Sequence, residues 1–479
     1  MTAGSSGGNA RVALGAVALG AVALGDVAVE ASERSEASEG LPYTDLSMSS
    51  RVFRRRSATA AWVYAAVAFG FIGSIVAARV LGLEEFGIFA TALAVAGFFQ
   101  ALLDLTVEES LTKYGFRYLA AEDWGRFRRL FRQMLILKIV GGALATAILI
   151  ALVPLADAIF DEEAVGTALL AAALLPLIQS PEHIGATALL LHSRYDLRGV
   201  YQAGSSALRL LAIVVGAPYG VTAAVVAIVV AQAISTTVSA FVGVAALRRF
   251  PREETRALAE DVPGIRSFVL QSSLATGVIS LRTTLVPVLL GIAAGPIQVG
   301  LFRIAQSPQT GLAAASSPAR LVLLTEQTRD WEGGQHVSVL DGIRKYTLGA
   351  TAIMIVAVPA FFFAMPWLVE TIFGSEYLGS VNAARVILLS AAIQFAIGWT
   401  KSLPVTIGRP QLRIVTHGLE TLVVIPLVVL LGAEWGVTGA AVAVLVATIV
   451  FAAAWAIALT RIRTTMGADP TRLASSTTP

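Results

Sequence analysis

No cysteine occurs in the 479 residues, which excludes disulfides and thiolate metal sites. Histidine is almost as scarce. His183, His192, His336 and His417 are the four, none at H-x-x-x-H or H-E-x-x-H spacing, so no metal site is expected. Charge is thin too: Asp, Glu, Lys and Arg make up 14% of the chain, against about 25% in ordinary soluble domains. Apolar residues reach 56% and mean hydropathy is +0.75. A single core cannot bury that excess, so its solvent is lipid. This excludes a soluble enzyme, a disulfide-stapled secreted scaffold and a nucleic-acid binder.

Residues 1–57 differ from the rest. Arg11 to Glu30 repeats a V-A-L-G-A pattern, and a Ser/Glu/Gly-rich stretch follows. The segment reads as a disordered tail, or as sequence upstream of a start at Met48. Beyond it, apolar stretches recur at 58–78, 86–105, 135–155, 166–190, 201–217, 221–246, 266–292, 297–324, 346–368, 383–407, 412–432 and 436–460. A spanning helix needs about 20 apolar residues, so the expectation is an all-α integral membrane protein of about 12 spans. The parts are then a six-helix lobe over 58–247, a linker over 248–265, a second six-helix lobe over 266–460 and a tail over 461–479.

Basic residues alternate with that count. The odd-numbered connections (Leu83 to Glu85, Asp157 to Glu163, Ala217 to Tyr219, Ala293 to Gln298, Glu370 to Gly379, Ala433 to Trp435) hold no Lys or Arg. The even-numbered ones carry Lys113, Arg117, Arg126, Arg128, Arg129 and Arg132, then Arg194 and Arg198, then Arg248 to Arg256, then Arg329 to Lys345, then Arg409 and Arg413. Positive residues stay cytoplasmic, so both termini are expected inside, in a cytoplasmic (inner) membrane.

Three segments recur at nearly constant offset. Gly82-Leu-Glu-Glu-Phe-Gly87-Ile-Phe89 resembles Gly295-Pro-Ile-Gln-Val-Gly300-Leu-Phe302. Ser193 to Arg198 resembles Gly408 to Arg413, and Gly216-Ala-Pro-Tyr-Gly220-Val-Thr222 resembles Gly432-Ala-Glu-Trp-Gly436-Val-Thr438. Six helices per copy is an even number, so the copies are parallel. Their pseudo-two-fold axis lies along the membrane normal, with a central cavity between the lobes.

The segments Ala78 to Phe89, Asp104 to Tyr114, Gly295 to Phe302, Phe373 to Tyr377, Gly408 to Arg413 and Gly436 to Ala441 resemble, in order and spacing, the lipid-linked oligosaccharide flippases of the multidrug/oligosaccharidyl-lipid/polysaccharide (MOP) exporter superfamily. The resemblance runs from Ser57 to Thr460. It implies translocation of an undecaprenyl-pyrophosphate-linked oligosaccharide by alternating access, for cell-surface polysaccharide such as lipopolysaccharide. The implied partners are that lipid-linked glycan, membrane lipids, a coupling H+ or Na+, and the pathway's polymerase or glycosyltransferases. Where the family often carries an Asp-Arg pair in helix seven, this chain has Val286-Pro287, so no ion-coupling role carries over there.

Charge inside a bilayer costs about 2.5–3.5 kcal/mol per residue on insertion scales and marks cavities or partners. Arg209 sits in helix five and Glu182, beside His183, in helix four; Lys401 and Glu420 occupy helices ten and eleven. Each lobe then carries an acid and a base at similar depth. Arg209, Lys401, Arg282 and Arg303 are the candidate contacts to pyrophosphate, since guanidinium grips phosphate oxygens with two donors. Glu182, His183 and Glu420 are candidates for ion pairs with these bases or for a proton relay. Structural pairing of the charges and snorkelling of Arg303 to headgroups remain open alternatives. No catalytic residue or cofactor is expected. The competing functions are a cation-coupled multidrug exporter, a peptidoglycan-precursor flippase and, from another class, a membrane glycosyltransferase or polymerase.

Overall fold

The structure is a computed structural model. It describes residues 46–468 except 104–105, 163, 192–194, 317–322, 324–325, 332 and 410, with side chains from 61 to 464 except 195–196, 275, 278–279, 281–282 and 405. The expected tail lies outside the described residues up to 45, and its last part is already helical.

Among the described residues every regular element is a helix. Helix α1 runs Leu46–Leu103, α2 Val107–Ala120, α3 Trp124–Phe160, α4 Ala164–Ala172, α5 Leu175–Gln179, α6 Glu182–Leu191, α7 Tyr195–Gly216 and α8 Val221–Leu247. Then come α9 Val262–Ala294, α10 Pro296–Ala305, α11 Ser307–Ala315, α12 His336–Ile372, α13 Val381–Ala396, α14 Leu403–Thr406 and α15 Gln411–Ala468. Eight described stretches are long and apolar enough to cross a membrane. That is fewer than the twelve expected because the runs at 58–78 and 86–105 lie on one helix broken at Gly82, and those at 412–432 and 436–460 on one broken at Gly436. In the run at 266–292 the side chains of 275, 278–279 and 281–282 lie outside the described residues, as do residues 317–322 and 324 of the run at 297–324.

Proline explains the interrupted fourth apolar run. Pro181 has no N–H for the carbonyl of Leu177, and the Ser180 hydroxyl donates to that oxygen at 2.8 Å instead. Thr146 of α3 supplies a bond to the Ala173 carbonyl at 2.8 Å. The freed backbone groups are thus satisfied inside the protein, the condition for irregular backbone at membrane depth.

The glycines at repeat-matched positions share a positive φ. Gly82 has φ 73° and ψ 175°, and its counterpart Gly295 has φ 86° and ψ 166°. Gly220 has φ 92° and its counterpart Gly436 has φ 55°. Only glycine visits these regions cheaply, which is why the motif keeps glycine at both. Helix α1 packs along α7 in the first half, and α9 along α15 in the second. Gln298 Oε1 accepts from Val437 N at 2.8 Å beside Gly436. Glu85, the matched residue of Gln298, lies beside Gly220, where an added β-carbon would come within 3.9 Å of Glu85 Oε2.

The halves meet where α1 crosses α9 and α10. At the crossing, Gly87 and its repeat counterpart Gly300 face each other. A β-carbon on Gly87 would stand 2.6 Å from the Pro296 carbonyl oxygen, and one on Gly300 3.0 Å from Gly87 Cα. Further contacts pin the arginine-poor end. Tyr377 Oη donates to Ala78 O at 2.7 Å, Arg79 Nε donates to Ile372 O at 2.8 Å, and Arg79 also donates to the Thr371 carbonyl. Phe71 meets Phe373 edge-on at 6.2 Å.

Overpacking a tight contact costs about 1–3 kcal/mol. Gly87→Val and Gly300→Val are therefore expected to lower the unfolding midpoint of the detergent-purified protein. Gly277→Val, where an added β-carbon meets nothing within 4 Å, should not. Wild-type midpoints for both crossing variants would refute the close approach.

Candidate functional site

Two arginines from opposite halves come together. Arg209 lies seven residues before the end of α7 (216 − 209), and Arg303 seven residues after the start of α10 (303 − 296). Both are thus about 10 Å from the arginine-poor end at ~1.5 Å rise per residue. The two guanidiniums interact electrostatically. Because α7 begins at Tyr195, Arg209 is deeper than a helix starting at residue 201 would place it. Arg303 is exposed and Arg209 half-buried. Among the described residues neither arginine makes a hydrogen bond or an ion pair within 4 Å.

Glu182 supplies the nearby negative charge, interacting with Arg209 and with Tyr201. Gln232 Nε2 donates to Glu182 Oε2 at 2.5 Å, and Ser239 Oγ donates to the Glu182 carbonyl at 2.8 Å. Gln232 is buried, so α8 holds the carboxylate in place. His183 does not join it: its side chain lines a separate small cleft with Lys138, Gln100, Gln179 and Ser180.

Glu420, 2% exposed, has its Oε2 3.0 Å from His417 Nδ1, and that ring stacks on Phe451 at 4.8 Å. Lys401 is exposed on the 3-10 turn Gly398–Lys401. Arg282 is on α9, and its side chain lies outside the described residues.

Sequence reasoning missed one charged group. Lys138 of α3 is buried, with its Nζ 2.7 Å from Glu108 Oε1 of α2; the side chains are 1% and 28% exposed. The signal was a lysine within the apolar run Leu135 to Val140, near the expected edge of the third span.

The second half adds an uncharged cleft. Thr283, Gln306 and Gln309 line it together with Val286, Val424, Val444 and Ala447. Among the described residues no group of three or more His, Asp or Glu could hold a metal ion.

The family model described as "Polysaccharide biosynthesis protein" matches residues 57–318. No curated protein matches the chain significantly in sequence. Solved structures share the fold. An inward-facing MATE-family multidrug resistance transporter of the MOP superfamily aligns with TM-score 0.65 at 14% identity, over 86% of this chain and 96% of its own. The lipid II flippase MurJ, in an inward closed conformation, aligns with TM-score 0.66 at 12% identity, over 84% and 87%. A MOP-superfamily transporter from Pyrococcus furiosus, described by the reverse polarity of its binding pocket, aligns with TM-score 0.52 at 14% identity, over 87% and 95%.

Removing one partner of a buried ion pair costs about 3–5 kcal/mol because the other charge is left buried. Lys138 is the more buried partner, so Glu108→Gln is expected to lower the unfolding midpoint more than Lys138→Met, and Glu108→Leu with Lys138→Met to recover part of the loss. The reverse order in thermal unfolding would contradict the pairing.

Proposed function

The chain belongs to the polysaccharide biosynthesis protein family and folds as a multi-pass membrane protein like the MOP-superfamily transporters, and from this premise we propose that it is a flippase for undecaprenyl-pyrophosphate-linked oligosaccharide. Arg209 and Arg303, one from each half, form the diphosphate site. The single observation that carries this is the electrostatic contact between the two guanidiniums, neither of which has a hydrogen-bonded partner among the described residues. Like charges facing each other in a low-dielectric site repel, and a dianion with several acceptor oxygens relieves that repulsion by charge-assisted, two-point contacts. Glu182 offsets part of the charge of Arg209 when the site is empty.

The membrane is the cytoplasmic one, and the arginine-rich connections with both termini face the cytoplasm. The contacts of Arg79, Phe71 and Tyr377 then close the outer end in this structure. The headgroup enters from the inner leaflet while its polyprenyl tail stays in lipid. Rocking of the two halves about the Gly87–Gly300 crossing would open the outer end and complete the transfer. The chain acts by binding and movement, with no covalent step.

Cation-coupled multidrug export is a second reading. Glu420, buried against His417, favours it as an acid of the kind such coupling uses.

A hydrogen bond to a charged group contributes about 1.5–3 kcal/mol, or roughly ten- to a hundredfold in affinity. Arg209→Ala and Arg303→Ala should each reduce surface polysaccharide at least tenfold in a flippase-deficient host, at unchanged protein abundance. Arg209→Lys should retain part of the activity. Normal polysaccharide in both alanine variants would overturn the assignment. Drug resistance lost in the Glu420→Gln variant, with polysaccharide intact, would favour export.

A further inference from the structure

Helix α12 ends at Ile372, at the arginine-poor end. A helix leaves its last four carbonyls without partners of its own, and its aligned peptide dipoles make that end negative. Val369 O accepts from Phe373 N at 2.8 Å and from Gly374 N at 3.2 Å. The carbonyls of Thr371 and Ile372 are met instead by the guanidinium of Arg79, which lies on α1 in the other half. A return contact runs the opposite way. Tyr377 follows α12 and is fully buried, and its hydroxyl donates to Ala78 O on the last turn before the break at Gly82. Each half thus closes a helix end of the other.

Two comparisons within the molecule single out Arg79. Arg385 of α13 makes the same kind of bond inside one half. Pro366 has no N–H for the carbonyl of Phe362, and Arg385 Nε donates to that oxygen at 3.0 Å with its guanidinium 4.6 Å from the centre of the Phe362 ring. The recurring segments supply the second comparison. The offset that aligns Gly82 with Gly295 sets Arg79 against Ile292, Ala78 against Gly291 and Phe160 against Phe373. There α3 of the first half meets α9 of the second through the Phe160 ring, 3.0 Å from where a β-carbon on Gly291 would stand. Ile292 is half exposed and its side chain has no donor to offer. One outer seam is therefore bonded at a position where the other is apolar.

A contact shifts a two-state equilibrium only by what it contributes in one state and not in the other. Parting the halves breaks the Arg79 bonds outright, whereas the Arg385 bond survives in both states. We infer that Arg79 is the latch of the outer end: it caps the C-terminus of α12 from the other half, with Tyr377 as the return clasp, and so sets how often the halves part there. This rests on the rocking proposed above and not on the identity of the cargo.

The chain has no cysteine of its own, so a pair of introduced cysteines can carry spin labels without background. Glu84→Cys and Ser375→Cys are exposed and flank the seam where Gly82 approaches Glu376. Their separation is read by double electron–electron resonance on the full chain in lipid nanodiscs. A hydrogen bond to a charged group is worth roughly ten- to a hundredfold in an equilibrium. Arg79→Ala should raise the ratio of long to short separations at least tenfold, and Arg79→Lys by less. Arg79 is exposed, so these variants keep their core. Tyr377→Phe should add to the effect of Arg79→Ala. Arg385→Ala should lower the unfolding midpoint and leave the ratio as in the wild type. An equal rise in Arg385→Ala would make the effect one of general loosening and overturn the latch. Long separations present in the wild type and unchanged in Arg79→Ala with Tyr377→Phe would remove the latch and leave the rocking intact. Short separations alone in every variant would remove both.

Discussion

The contact on which the rest depends is the crossing of α1 and α10 at Gly87 and Gly300. Between helices in lipid there is little hydrophobic drive, because the surrounding chains are as apolar as leucine. Association relies on van der Waals packing and on polar bonds that the bilayer cannot offer. A pair of facing glycines lets two backbones touch, and an added β-carbon at either position would intrude on the other helix. Arg303 stands three residues from this crossing, less than one helical turn. Whatever motion the halves make, its guanidinium has a short lever arm, so its height against Arg209 is set by the crossing itself.

The polar groups in the helices then divide into two kinds. Lys138 with Glu108, Gln232 with Glu182, and Ser180 with the carbonyl of Leu177 are matched inside the protein. Such pairs carry their desolvation cost and hold helices in register. Arg209 and Arg303 are not matched within the described residues. This contrast, more than charge alone, is what sets the proposed ligand contacts apart. The buried pair at Lys138 would otherwise rank with the arginines.

Much of the scaffold was legible in the sequence because its constraints are local. Apolar runs of spanning length mark helices, and Gly82, Gly220, Gly295 and Gly436 are kept because each sits at a positive φ. The site was legible only as a set of candidates, since depth along a helix says nothing of direction around it. Glu182 and His183 are neighbours in sequence, but successive residues point about 100° apart on a helix. The structure accordingly sends one to Gln232 and the other to the Lys138 cleft. The meeting of Arg209 with Arg303 needed the crossing angle of helices far apart in the chain, which no local pattern encodes.

The recurring segments of the sequence also set charged residues against neutral ones. Extending the offset that aligns Leu197 with Leu412 and Arg198 with Arg413 sets Arg209 against Val424, and Val424 lines the uncharged cleft. At the hinge, Glu85 is set against Gln298. At both places the first half keeps a charge and the second has a neutral residue. The glycines that shape the backbone are held in both copies, because a fold with two-fold likeness needs both. The side chains beside them differ between the copies in both directions: Arg209 is set against Val424, and Arg303 against Ala90.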